Sequence, residues 1–171
     1  MRYWLWIVLL PASSLLGKEK KLGGYVMDAA AFRRIQTYCF DTHNLPSREV
    51  RVINQFVTRE SKHAGLLSQL PWRRLESCKE DQADALVRVE FPSDPLRVRH
   101  DVNGVLFVFR SGSPSPIYET REVLMGGAAD GNDGGHWTEL LEGGAAGIAF
   151  RTLVHDWQQF SERVTTAAYD R

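Results

Sequence analysis

The residues of this 171-residue chain that could do chemistry are few and scattered. Cys39 and Cys78 are the cysteines, and His43, His63, His100, His136 and His155 are the histidines. These are the side chains able to act as nucleophile, base or soft-metal ligand near neutral pH. No His-x-x-x-His or Cys-x-x-Cys pair occurs, so the usual zinc spacings are absent and no metal is expected. His100-Asp101 and His155-Asp156 are sequence neighbours whose side chains diverge on a strand or helix, and they read as surface or satisfied polar groups. Ser111-Gly112-Ser113 does not make the Gly-x-Ser-x-Gly elbow of a serine hydrolase. Cys39 with a histidine base would be a thiolate nucleophile. A hydrolase that gathers Cys39 or His136 with nearby acids is therefore the enzymatic alternative, and no catalytic residue is assigned.

The loop Asp130-Gly131-Asn132-Asp133-Gly134-Gly135 collects carboxylate and amide oxygens of the kind a hard cation prefers. It fails the helix-loop-helix calcium pattern, because no acid closes it at the required distance. The Gly126-Gly127 and Gly143-Gly144 pairs match neither phosphate-binding fingerprint, so no nucleotide and no other cofactor is expected. Asp130, Asn132 and Asp133, with Trp137 beside them, remain as a binding surface for a ligand module. Trp72, after Pro71, joins that surface if it is exposed.

The first seventeen residues set the compartment. Met1-Arg2 is positive, Tyr3 to Leu10 is free of charge, and Pro11 to Gly17 is rich in small residues before Lys18-Glu19-Lys20-Lys21. Those are the three parts of a secretory signal peptide. The apolar stretch is shorter than the ~20 residues a membrane-spanning helix needs. Membrane contact is thus expected only through this segment, if it stays uncleaved. In an oxidising compartment Cys39 and Cys78 form a disulfide candidate, with two buried thiols as the other reading. Net charge is zero, but residues 1–80 carry thirteen Lys/Arg against seven Asp/Glu and residues 81–171 eight against fourteen. The cations are dispersed rather than clustered, which argues against a nucleic-acid partner.

Element by element, 1–17 reads as leader, 18–31 as a flexible lead-in and 32–167 as one domain. Phe32 to Phe40 alternates as a first strand. Ser47 caps a helix whose apolar stripe is Val50, Ile53, Val57, Ala64 and Leu67, widened by Val52 and Phe56, with Gly65 ending the regular helix. Trp72 to Ser77 is a short strand, and Ala83 to Phe91 is a strand with Ala85, Val87, Val89 and Phe91 on its buried face. Gly104 to Arg110 is apolar on both faces and belongs centrally in the sheet, with Ile117 to Met125 as its hairpin partner. Phe107, Phe109, Tyr118, Trp157 and Phe160 read as inward-facing. Helical character returns near His136, weakens at Gly143-Gly144 and is firm from Ala145. The fold expected is α+β: a two-layer sandwich with a mixed, mostly antiparallel sheet of about five strands and two helices on one face.

The segments Arg34 to Asp41, Gln82 to Val89 (with its Ala-Asp pair), Gly104 to Val108 and Ile117 to Thr120 resemble a family of small bacterial envelope proteins. Its members are often lipoproteins and are known as a domain of unknown function. The resemblance covers about residues 32–163. This chain lacks the lipobox cysteine and has Tyr118 where members often carry Trp. It implies an envelope α/β fold without known catalytic residues. The reading is an exported, non-enzymatic protein, periplasmic or secreted, whose partner is an envelope protein or cell-wall component. The alternatives are the ligand module and the hydrolase.

Overall fold

The computed structural model describes residues 23–62, 65–78, 83–92, 102–126 and 134–169. The leader lies outside these residues, as do Asp130, Asn132 and Asp133; of Trp137 the helical backbone is described and the side chain is not. The fold is α+β, with seven strands and three α-helices among the described residues where about five and two were expected. The strands are β1 (Gly24–Val26), β2 (Thr37–Phe40), β3 (Arg73–Arg74), β4 (Ala85–Glu90), β5 (Val102–Arg110), β6 (Pro116–Thr120) and β7 (Val123–Met125). The helices are α1 (Ala29–Arg33), α2 (Ser47–Lys62) and α3 (Gly134–Tyr169). One mixed sheet runs β1-β6-β5-β4-β2-β3, with β7 also paired to β5. β2 is parallel to β3 and β4, and the other pairs are antiparallel.

The alternation in β4 does what its sequence predicts. Ala85, Val87 and Val89 are buried while Leu86, Arg88 and Glu90 are half-exposed. Central β5 buries Leu106 and Val108 in the core. Its alternate residues Phe107 and Phe109 point to the other face and are only partly buried, so they are not the inward pair expected. Strict period-two geometry allows one parity inward, and the smaller aliphatic set took it.

The predicted Ile117–Met125 partner is two strands on one edge of β5. β6 pairs with Phe107–Phe109 and β7 with Val102–Gly104. At the break between them Thr120 Oγ1 accepts the Leu106 amide at 2.9 Å, so the interruption leaves no buried donor unpaired there.

Of the expected lead-in, residues 24–31 hold a strand and the start of a helix. β1 pairs with β6, and Asp28 caps α1 by accepting the Ala31 amide at 2.9 Å. The expected strand therefore begins at Thr37, not Phe32. Two long-range partners that no local pattern carries fix this stretch. Phe32, fully buried, stacks on Tyr118 at 5.1 Å and meets Trp72, Trp157 and Phe160 edge-on. Asp156, also fully buried on α3, accepts the Gly23 amide at 2.9 Å, the Gly24 amide at 2.7 Å and the Tyr118 hydroxyl at 2.9 Å. A Cβ on Gly24 would lie 2.5 Å from the Glu119 carbonyl oxygen and 2.6 Å from the Tyr118 hydroxyl, so the close approach of β1 to β6 requires glycine.

α3 runs through Gly143-Gly144 without a break. Glycine there costs about 1 kcal/mol per residue relative to alanine, but packing outweighs it. Ala145, Ala146, Ala149, Phe150 and Leu153 are all fully buried. Ala145 lies so close over the sheet that a Cβ on Gly104 would come within 2.8 Å of it. α2 lies beside α3 and buries Val52, Ile53 and Phe56. Arg48 pairs with Glu142 at 2.5 Å and Arg51 with Glu139 across the two helices. Burial pushes the Glu142 carboxyl above the usual glutamate range against the opposing charge of Arg48.

A cleft beside the cystine

β2 lies between its two parallel neighbours, and its chain leaves the sheet at Phe40 for the turn that enters α2. The carboxyl ends of parallel strands are where open α/β sheets leave a crevice. Here the crevice is a cleft of about 390 Å³, inside the range of roughly 300–1,000 Å³ common for ligand sites. One wall is Phe40 to His43, a second is Asn54 and Val57 of α2, and the third is Arg74 to Cys78 after β3.

Each wall is held by identifiable bonds. Cys39 and Cys78 form a disulfide, with Cα atoms 5.4 Å apart, that ties the third wall to β2. The Leu75 amide continues the pairing by donating to the Tyr38 carbonyl at 2.7 Å. Asp41, 7% exposed, accepts Arg88 Nη2 at 2.5 Å and Nε at 3.1 Å on one oxygen, and the His43 amide at 3.0 Å on the other. Arg88 in turn lies 5.1 Å over the Phe109 ring. The turn closes through Asn44 at φ 65°, a left-handed conformation asparagine tolerates. Asp41 is therefore a structural carboxylate that sets the direction of the loop.

The remaining polar groups have no such employment. Among the described residues the side chains of Thr42, His43, Asn54, Arg74, Glu76 and Ser77 make no hydrogen bond or ion pair, and they ring an apolar floor of Phe40, Val57 and Leu75. Arg74 makes itself felt at the buried Tyr38 hydroxyl: burial pushes that group up to about 12, and the Arg74 charge opposes the rise. These uncommitted donors and acceptors, beside Phe40, Val57 and Leu75, are groups a polar ligand could engage.

Two other concavities differ in this respect. At the opposite end of β2, a cleft of about 430 Å³ includes Asp28, Arg34, Asp84 and Arg110. Its Asp84 is consumed by the Gln36 amide at 3.0 Å, the Thr37 amide at 2.9 Å and the Thr37 hydroxyl at 3.0 Å. Desolvation works to raise this carboxyl, but those three donors outweigh it and hold it below the usual aspartate range. They fasten the start of β2 to β4. A larger hollow, about 640 Å³, is lined by Ser47 to Arg59 of α2 alone. Among the described residues that one convex helix faces no opposing wall.

The groups singled out in the sequence fare unevenly. The disulfide forms, and with both sulfurs in it Cys39 is not a thiolate nucleophile. Trp72 is 4% exposed in the aromatic core and offers no binding surface. Asp130, Asn132, Asp133 and the side chains of His136 and Trp137 lie outside the described residues. The cleft residues His43, Asn54, Arg74 and Glu76 were missed. The signal that could have found them is the cysteine pair itself, since bridging Cys39 to Cys78 brings residues 40–43 beside 74–77.

No protein-family model matches this chain. No curated protein matches it either. Among solved structures, a point variant of PelC from Paraburkholderia phytofirmans, described as a dodecamer, is similar at 5% identity and a TM-score of 0.37, over 68% of this chain and 88% of that one. A second PelC dodecamer structure from the same organism is similar at 7% identity and a TM-score of 0.35, over 76% and 93%. A likeness at these values is no guide to fold or function.

Proposed function

We propose that this chain is an exported, non-enzymatic envelope protein, periplasmic or secreted, that acts through contacts with an envelope protein or cell-wall component. The observation that carries the reading is the Cys39–Cys78 disulfide, with Cys39 only 1% exposed. Structural disulfides persist in oxidising compartments and are rare in the cytosol. The signal-peptide pattern of residues 1–17 agrees with this, as does the resemblance to envelope proteins. Among the described residues no helix is long and apolar enough to cross a membrane, α3 included. The hydrolase alternative loses its cysteine version to the disulfide. The contact surface is the cleft between β2, α2 and the Arg74–Cys78 segment, where the uncommitted polar side chains gather.

A photo-crosslinking side chain at exposed Asn54 tests this in living cells, with the same group at exposed Ser115 as control. A discrete adduct in the envelope fraction from position 54 and none from 115 is the expected result. Equal labelling from both positions, or none from 54, overturns the cleft as the contact surface.

A further inference from the structure

We propose that the cleft binds a short zwitterionic peptide segment, with Arg74 receiving its carboxylate and Glu76 its ammonium group. The inference takes over the cleft from the preceding reading but does not depend on export.

Arg74 and Glu76 stand two residues apart, both line the cleft, and they do not pair with each other or with any other group among the described residues. The cleft's other carboxylate, Asp41, is already neutralised by Arg88. What remains is one cation and one anion, a balance that repels neither sign and leaves both charges in search of a partner. Both stand on the Arg74–Cys78 wall, so that wall carries opposite charges two residues apart, as the two ends of a dipeptide do. A guanidinium recognises a carboxylate through two parallel N–H donors, and Glu76 accepts from an ammonium. On the α2 wall of the same cleft, Asn54 carries the amide donor and acceptor that a peptide bond needs. The floor of Phe40, Val57 and Leu75 suits one aliphatic side chain. A simple anion would use Arg74 and be repelled by Glu76, and a simple cation the reverse.

The experiment is an amide NMR titration of the oxidised protein with the dipeptide Ala-Leu, followed at Thr42, Asn54, Glu76 and Ser77. N-acetyl-Ala-Leu and Ala-Leu-amide, each lacking one end charge, are the paired probes. Shifts confined to the cleft, weakening about tenfold with either capped probe, are expected. The variants R74A and E76Q should each abolish discrimination against one capped form. Equal binding of free and capped forms, shifts spread over the surface, or none at millimolar dipeptide overturns the proposal. Because the capped probes act on the unmodified protein, a variant that fails to fold leaves the test intact. Peptide binding without an Asn54 adduct in cells would sink the cleft as the envelope contact surface and leave this inference standing. An adduct without peptide binding would sink this inference alone.

Discussion

Replacing Asp156 by alanine strips the Gly23 and Gly24 amides and the Tyr118 hydroxyl of one buried acceptor, and removes a longer 3.4 Å contact to His155 Nδ1. The Gly23 amide is only part-buried and can turn to water. The Gly24 amide and the Tyr118 hydroxyl are buried and cannot. Each buried donor left unmade costs about 1–3 kcal/mol, so D156A should lose about 4 kcal/mol. For a domain of this size each kcal/mol is worth about 2–4 °C in melting temperature, which gives a drop of roughly 12 °C. Y118F removes one donor and keeps the carboxylate with two amides, so it should lose about 1–2 kcal/mol. Because the two groups share one bond, the double variant should lose less than the sum, with a coupling of about 1 kcal/mol. Urea and thermal unfolding by circular dichroism give these values, and hydrogen exchange at the Gly24 amide reports the local event. A D156A melting point within about 3 °C of the parent, or strict additivity with Y118F, would refute the claim that Asp156 fastens β1 to α3.

Other perturbations test other joints. Reducing Cys39–Cys78, or replacing both by serine, reopens a loop of 39 residues' separation; the chain-entropy relation gives about 4 kcal/mol lost, read as a lower urea midpoint. G104A pushes a methyl to 2.8 Å from the Ala145 Cβ and should cost about 1–3 kcal/mol, whereas the same change at exposed Gly112, at φ 75° with open space around it, strains only the backbone. Glu142 gives a pH signature. Its folded carboxyl is raised above the unfolded value, so its stabilising contribution is complete below the ordinary glutamate range and is lost as pH rises through the higher folded value. E142Q should therefore gain stability relative to the parent as pH rises across that window. A melting-temperature difference that is flat or falls with pH contradicts the assignment.

Much of this architecture is legible in the residues. β4 follows from its alternation, α2 from its stripe, and the place of β5 from its double-sided apolarity. What escapes is whatever depends on a distant partner. Gly24 to Arg33 resembles a lead-in because its partners, Asp156 and the aromatic cluster around Phe32, lie far along the chain. Gly143-Gly144 resembles a helix end because the packing of α3 over Gly104 is not local. Phe107 and Phe109 resemble core because hydrophobicity alone does not choose which parity of a strand faces the helices. The cleft draws on three separated stretches, so no motif spacing records it. The cysteine pair was the one long-range constraint in view, and it points to that cleft.

The most direct test of the central claim is the intact mass of the native protein in separated cell fractions, with and without reductant. The account predicts an envelope or secreted species, shortened by its leader, that gains two hydrogens on reduction. A full-length species in the cytoplasm with both thiols free would contradict it.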